Sequence, residues 1–103
     1  MTTPDYTNAS QQRLLTVLMC LFADLVDGVA PAAIARETGS SPANVTRDLH
    51  NLQIAGLAAR DEETGRWMLT PRLPRQALTA MTVLDRRQRR LDEVRQRLTA
   101  PAM

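Results

Sequence analysis

The sequence predicts a mainly helical fold with a single two-stranded hairpin and a long C-terminal helix. Three observations predict it: apolar residues recur at helical spacing over most of the chain, the period changes to alternation over residues 57–70, and glycine and proline fall between these segments. The chain has 103 residues, enough for one small domain. Aromatic residues make up only 3%, so we expect an aliphatic core.

A first helix is predicted over residues 10–27, after a flexible tail at residues 1–8. Asn8 and Gln11 have the spacing of a capping box. One buried stripe is predicted from helical spacing: Leu14, Leu18, Leu21, Phe22 and Leu25. Three further apolar residues lie off this stripe: Leu15, Val17 and Met19. A helix that is apolar on more than one side indicates a second packing surface, such as a dimer face.

The apolar run from Leu14 to Val26 has two alternatives to a core helix. It is too short to cross a bilayer, which needs ~20 apolar residues, and Asp24 interrupts it. A secretory signal would explain Arg13 before the run and the small residues after it. Asp5 argues against a signal, and cleavage would remove a helix that the next segment needs for its core. We therefore expect a cytoplasmic protein.

The second and third helices are predicted over residues 31–38 and 41–55. Proline opens each helix and glycine follows each end: Pro31, Gly39, Pro42 and Gly56. Ser41 is expected to cap the third helix. Its predicted buried stripe is Val45, Leu49 and Leu52. The residues expected to face outward are Ala43, Asn44, Thr46, Arg47, His50 and Asn51.

The period then changes from helical to alternating. Two short strands are predicted at residues 57–61 and 66–70, with Gly65 supplying the positive φ of the turn between them. Two prolines are expected to close this hairpin: Pro71 and Pro74. A helix is predicted from about Arg75 to Leu98. Its leucines at seven-residue spacing indicate a coiled-coil seam, which Gln88 and Arg95 interrupt.

All 13 basic residues are arginine. Codon usage in a GC-rich genome is one explanation. Every basic side chain is also a planar guanidinium, whose paired N–H donors match phosphate oxygens and guanine edges. The basic excess lies towards the C-terminus, where residues 76–103 hold six arginines against three acidic residues. This distribution indicates a polyanionic partner. The run Arg86 to Arg90 is a solvated helix face, a phosphate-tracking surface or the outer face of a dimerising helix; the sequence leaves these three alternatives open.

The order of the predicted elements is that of a winged helix-turn-helix. Ala35 allows the second helix to approach the third, and Gly39 allows the tight turn between them. Val45 joins the pair from the inner side. Such a pair presents the outer face of the third helix to the major groove of DNA, which is wide enough to admit one helix.

Residues 10–73 resemble the N-terminal DNA-binding domain of IclR-type bacterial transcription regulators. The resemblance is densest in three stretches: IARETG (34–39), LxxLxxxGL (49–57) and RDEETGRWMLTPRL (60–73). In two places the sequence departs from the family: Pro42 and Ala43 stand where a basic residue is frequent, and Glu62 replaces the usual proline of the wing. The resemblance implies a bacterial or bacteriophage source. We expect no small-molecule effector domain.

The resemblance places the first group of DNA-facing residues on the third helix and the wing: Ser41, Pro42, Ala43, Asn44, Thr46, Arg47, Thr64, Gly65 and Arg66. Four more residues are included because they are expected to face outward on the third helix or to carry a positive charge near the hairpin: His50, Asn51, Arg60 and Arg72. Arg47 can bond a guanine edge with two donors, and Asn44 or Asn51 can pair with adenine. The arginines of the hairpin and its exit can neutralise phosphate charge.

Several of these residues have simpler interpretations. His50 is expected to be a surface residue, Cys20 a core residue and Trp67 a packing anchor rather than a base-stacking platform. Arg47 and Asp48 could form a solvated charged face. With one cysteine and one histidine, we expect no metal and no cofactor. The sequence has no acid–base or nucleophile arrangement, so we expect no enzyme.

Together these patterns predict a sequence-specific regulator that binds double-stranded DNA as a homodimer. Residues 9–73 would form the DNA-binding domain, and residues 74–100 the helix that pairs two subunits together with the first helix. The alternative is a protein-interaction module that docks on another regulator or on polymerase through its acidic wing. Salt separates the two, because phosphate binding weakens steeply with ionic strength.

Overall fold

A computed structural model describes residues 4–101, which form four helices and one antiparallel hairpin. The elements are, in order, α1 (Ala9–Cys20), α2 (Pro31–Thr38), α3 (Pro42–Ile54), β1 (Ala58–Arg60), β2 (Trp67–Leu69) and α4 (Arg72–Thr99). The predicted fold class, a mainly helical winged helix-turn-helix with a long C-terminal helix, is confirmed. The chain divides into two compact units, one ending at Arg72 and the other beginning at Leu73.

The predicted N-terminal tail is described in part. Residues 1–3 lie outside the described residues, and residues 4–8 are exposed and without regular structure. Asn8 caps α1, its side-chain oxygen accepting from the backbone N–H of Gln11 at 3.0 Å. The start of the first helix therefore follows from the capping pattern.

The first helix ends earlier than residue 27, so that prediction was wrong. After Cys20 the chain makes one 3-10 turn, Leu21–Ala23, and Asp24 then adopts an extended conformation with φ −147°. The Asp24 carboxylate accepts from the N–H groups of Val26 and Asp27, both at 2.9 Å. These side-chain bonds offer the backbone an alternative to the helix and stop it. The hydrogen bond from the N–H of Asp27 and, to a smaller extent, that from Val26 also hold the pKa of Asp24 below its ordinary value.

The buried stripe of α1 also differs from the predicted one. Val17, which was predicted to lie off the stripe, is fully buried together with Leu21. Phe22 and Leu25 were predicted in the stripe but are 39% and 50% exposed, because both follow the last helical residue and lose the helical register. Cys20 is buried as expected, and burial raises the pKa of its thiol.

The helix-turn-helix pair agrees with the predicted bounds. Gly39 follows α2 with a left-handed φ of +65°, and Ser41 caps α3 by accepting from the N–H of Asn44 at 3.1 Å. The predicted inner stripe of α3 is confirmed: Val45, Leu49 and Leu52 are buried, as is Ile34 of α2. This core fixes α3 from its inner side.

The hairpin is shorter than predicted and has an additional neighbour. Each strand has three residues instead of five, and Ala58 pairs with Leu69 while Arg60 pairs with Trp67. Val29 also exchanges two backbone hydrogen bonds with Trp67, at 2.7 and 2.9 Å. Gly65 has the expected positive φ of +73° in the turn. The pairing ties the hairpin to the segment between α1 and α2.

The last helix begins at Arg72, three residues before the predicted start, and ends at Thr99. Pro74 lies in its first turn, where backbone N–H groups have no intrahelical acceptor, so the proline costs no hydrogen bond. None of its residues is buried. Within residues 4–101, no helix has the length and apolar character needed to cross a membrane.

Candidate functional site

The candidate site is the outward face of α3, and the inner face of that helix holds it in place. Alongside the apolar stripe, the inner face contains one charged residue, Asp48, which is 4% exposed. Its position three residues after Val45 and four before Leu52 puts it on the buried side. The alternative of a solvated Arg47–Asp48 face is therefore wrong for Asp48.

Asp48 is bound by Arg13 of α1 through two parallel hydrogen bonds. The Arg13 Nε donates to Oδ2 at 2.7 Å, and Nη2 donates to Oδ1 at 3.1 Å. The hydrogen bond with Asp48 raises the pKa of Arg13 above its already high value, so the guanidinium stays charged. Two parallel hydrogen bonds between a guanidinium and a carboxylate fix the relative orientation of the two groups as well as their distance. It therefore sets the register of α3 against α1.

The outward face of α3 is polar and open. The residues exposed there are Ala43, Thr46, Arg47, His50 and Asn51, whereas Asn44 is half-buried. The Asn51 amide donates to the backbone carbonyl of Arg47 at 2.9 Å, which occupies one of its two N–H groups. Among residues 4–101, no carboxylate lies within 4 Å of the Arg47 guanidinium. Its forked donors are available to a ligand.

The start of α3 keeps a further donor. The Ser41 oxygen accepts the capping bond from Asn44, so its hydroxyl hydrogen can still be donated. Pro42 follows at the first helical position and contributes no N–H. This end of the helix presents one hydroxyl and no cation, in agreement with the departure from the family pattern at residues 42 and 43.

The wing carries three acidic residues, and two of them are engaged within the wing. Glu62 accepts from Arg60 Nη1 at 2.8 Å. Asp61 accepts from the backbone N–H groups of Glu63 and Thr64, at 2.9 and 3.3 Å, and so shapes the turn. The negative charge at the tip is therefore partly offset by Arg60 and by backbone N–H groups of the hairpin.

Two predicted site arginines also bond backbone carbonyls. Arg66 Nη1 donates to the carbonyl of Gly28 at 3.3 Å, and Arg72 Nη1 donates to that of Ala55, just after α3, at 3.0 Å. Thr70 donates to the carbonyl of Gly56 at 2.6 Å. A guanidinium has five N–H donors, so one such bond leaves others free for phosphate. The two arginines hold the hairpin and the end of α3 in position.

All thirteen sequence-predicted site residues lie in the unit that ends at Arg72, and none is buried. Eight come from α3 and its cap, and five from the hairpin and its exit. Sequence reasoning missed the Arg13–Asp48 pair that positions α3. The helical spacing of Asp48 with the buried stripe could have indicated it.

No protein-family model matches the sequence, and no curated protein matches it significantly. Solved structures do match its fold. An IclR family transcriptional regulator from Brucella abortus superposes with a TM-score of 0.64 at 22% identity, over 80% of this chain and 31% of that one. The Zalpha domain of Carassius auratus PKZ, solved in complex with Z-DNA, gives 0.54 at 25% identity, over 61% of this chain and all of that domain. A point mutant of S. aureus MepR gives 0.51 at 20% identity, over 84% of this chain and 65% of that one.

Proposed function

We propose that this protein is a sequence-specific regulator of transcription that binds double-stranded DNA through the outward face of α3. The observation that carries the proposal is the two-sided character of α3. Its inner side is fixed by a buried apolar stripe and the Asp48–Arg13 pair, while its outer side exposes polar side chains. A helix held in this way is suited to insertion into a major groove.

The side chains of that face have the chemistry for base recognition. Arg47 can donate two hydrogen bonds to O6 and N7 of guanine, and the asparagines at 44 and 51 can pair with adenine. Thr46 and Ser41 can donate to phosphate, and His50 adds a donor or acceptor. In this proposal the bases are read mainly by Arg47, since it is the most versatile exposed donor of α3.

The wing and its exit supply contacts to the DNA backbone. Arg60, Arg66 and Arg72 are exposed, and each retains free N–H donors. Thr64 and Gly65 lie at the tip, where both backbone N–H groups donate to Asp61. The Thr64 hydroxyl accepts from the N–H of Arg66, so its hydrogen can still be donated to phosphate. Because Glu62 is paired with Arg60, the acidic tip repels DNA less than its composition indicates.

Two further observations favour a homodimer. The outer side of α1 exposes two apolar residues one turn apart, Leu15 and Met19, and Phe22 in the following 3-10 turn is also exposed. α4 is a 28-residue helix without a buried residue, and its leucine seam (Leu84, Leu91 and Leu98) is more than half exposed. An uncovered stripe at seven-residue spacing is typical of a helix that pairs with another copy. A twofold dimer would set two copies of α3 ~34–36 Å apart on a palindromic site.

The proposal includes a relationship to the DNA-binding domain of IclR-type regulators and a bacterial or bacteriophage source. It is supported by the sequence patterns at residues 34–39 and 60–73 and by the superposition on the Brucella regulator. This chain covers 31% of that regulator. We propose a location in the cytoplasm, where such regulators meet their DNA, and no catalytic activity.

The test is selection of duplexes from random-sequence DNA, followed by affinity measurements on the best duplex and on a scrambled one. Arg47→Ala should lower affinity for the selected duplex by about 5- to 150-fold, which corresponds to ~1–3 kcal/mol for a bidentate base contact, and should relax sequence preference. Arg75→Ala removes the same charge outside α3 and should affect both duplexes equally. If Arg47→Ala leaves affinity and preference unchanged, the assignment of α3 is wrong.

A duplex in the left-handed Z form should be compared with the B-form duplex, because one structural relative was solved on Z-DNA. The proposal predicts tighter binding to the B form. Absence of binding to either form at low salt contradicts DNA binding altogether and favours a protein-docking module.

A further inference from the structure

The second unit carries charge that neither packing nor the helix dipole explains. α4 contains eight arginines and three acidic residues. The dipole stabilises cations in the last turn of a helix, where α4 has one arginine, Arg97. Arg86, Arg89 and Arg90 lie near the middle of the helix, where this effect is absent.

These central arginines are poorly neutralised by the chain. Among residues 4–101, the only ion pair formed by α4 is Arg90 with Glu93, at a loose 3.7 Å. Arg86 lies three residues before Arg89 and four before Arg90, so these like charges are neighbours on one helical surface and repel. The helix therefore carries a repulsion that an external anion would relieve.

Helical spacing separates the charge from the leucine seam. Arg86, Arg89 and Arg97, here named the arginine ridge, fall roughly opposite Leu84, Leu91 and Leu98 around the helix. Glu93 lies on the same side, four residues from Arg89 and four from Arg97, and leaves the ridge with a net positive charge. Pairing of two copies through the seam leaves the ridge open. The ridge and the seam are thus two independent surfaces of one helix.

The size of the charged segment fits a nucleic acid. Residues 86–97 hold six arginines and two acidic residues and extend over roughly 17 Å at 1.5 Å per residue. Duplex DNA carries one negative charge per ~1.7 Å, or about ten over that length. A guanidinium also matches a phosphate with two parallel donors.

A membrane surface fits less well. Helices that lie in the lipid interface combine a broad apolar face with aromatic anchors. Residues 72–99 contain no aromatic residue, and the leucines of α4 form a narrow seam interrupted by Gln88 and Arg95. Guanidinium groups bind the phosphodiesters of lipid and of DNA alike, so the apolar pattern of α4 decides between the two surfaces.

We infer that the arginine ridge is a second DNA contact, which binds the phosphate backbone without regard to sequence while α3 reads the bases. The inference rests on the proposed function and deepens it: the helix that pairs the subunits also extends the footprint of each. Affinity would then be set largely by α4 and specificity by α3.

The experiment measures the full chain's affinity for the selected and scrambled duplexes from about 50 to 300 mM salt. The triple variant Arg86→Gln/Arg89→Gln/Arg97→Gln should weaken binding to both duplexes by the same factor. It should reduce the slope of log affinity against log salt by about 2–3, roughly one for each phosphate that is no longer neutralised. The matched Arg→Lys triple variant keeps the charge and should keep most of the slope. Circular dichroism and sedimentation should show that both variants keep their helix content and oligomeric state.

An unchanged slope and affinity in the glutamine variant, with the wild type still binding, would overturn the inference and leave the role of α3 intact. If the variant instead loses binding to phosphatidylserine vesicles and keeps its DNA slope, the ridge is a lipid surface and the inference is again overturned. Failure of the wild type to bind either duplex at 50 mM salt would refute the proposed function, and the ridge as a DNA-binding surface with it.

Discussion

α3 and α4 are both amphipathic, but among residues 4–101 the apolar stripe of α3 is buried and that of α4 is exposed. Val45, Leu49 and Leu52 of α3 are at most 3% exposed, whereas the leucines of the α4 seam are 60% exposed or more. Apolar residues at similar helical spacing are therefore buried in α3 and exposed in α4. The stripe of α3 closes a core with α1 and α2, while the seam of α4 stays exposed.

The two helices also differ in how they treat charge. α3 buries a single carboxylate and neutralises it with a bidentate arginine from another helix. α4 spreads eight arginines over its surface with one loose ion pair among the described residues. Buried charge fixes geometry, and unneutralised surface charge attracts a counterion. The first arrangement suits a reading helix and the second a surface that binds the DNA backbone.

The largest expected difference is in hydrogen exchange of the backbone amides. Amides in the middle of α3 should exchange only through global unfolding, which costs several kcal/mol in a small domain. Amides of α4 should exchange far faster at high dilution, because an isolated helix is marginal in water. Raising the protein concentration should protect α4 and leave α3 unchanged. Equal protection of both helices at high dilution would contradict the comparison.

Leucine truncation in each helix should separate folding from association. Leu49→Ala opens a cavity in a closed core and should lower the free energy of unfolding by about 2–5 kcal/mol. Leu91→Ala should leave the unfolding of the first unit nearly unchanged and weaken self-association. Urea unfolding monitored by Trp67 fluorescence measures the first effect, and analytical ultracentrifugation measures the second. The comparison fails if Leu91→Ala destabilises the first unit as much as Leu49→Ala does.

Removing Arg13 should cost more than removing its partner. Arg13→Ala leaves the buried Asp48 carboxylate without its cation, which should lower the free energy of unfolding by about 1–3 kcal/mol. Asp48→Ala should cost less, because the remaining guanidinium is 22% exposed and can be solvated. The double variant should be more stable than the sum of the two single effects implies. Strict additivity in urea titrations would show that the pair does not couple α1 to α3.

The smallest effect concerns acid stability at the end of α1. The N–H groups of Asp27 and Val26 lower the pKa of Asp24 in the folded state, so its contribution to stability is present above the ordinary value of about 3.9. That contribution is lost as the pH falls through the lowered pKa. Asp24→Asn keeps an acceptor oxygen but does not titrate, so its unfolding midpoint should change less between pH 5 and pH 2. Parallel pH profiles for the two proteins would rule out this role.

The bounds of α2 and α3 could be predicted because local chemistry sets them. Pro31, Gly39, Ser41 and Pro42 act within one turn of the chain, and their preferences do not depend on distant packing. The same holds for Gly65 in the hairpin turn. The inner stripe of α3 followed from its period alone.

The features that could not be predicted from the sequence depend on side chains that compete for backbone hydrogen bonds, or on contacts between residues far apart in the chain. The end of α1 is decided by the hydrogen bonds of Asp24, which a periodicity argument ignores. The pairing of Val29 with Trp67 and of Arg13 with Asp48 joins residues more than thirty positions apart. Neither pairing has a local pattern that identifies both partners, although the helical spacing of Asp48 indicates that this residue is buried. The thirteen proposed DNA-contacting residues stay a prediction, since only a bound duplex can test them.

The most direct test is an NMR titration of the ¹⁵N-labelled protein with its selected duplex. If α3 reads the bases, the largest amide shifts will fall on residues 41–47 and 50–51 and on the wing at residues 64–66. The exposed side of α1 at Leu15 and Met19 should stay unchanged. Shifts confined to α1 or α4, with the outward face of α3 unaffected by a saturating duplex, would contradict the central claim.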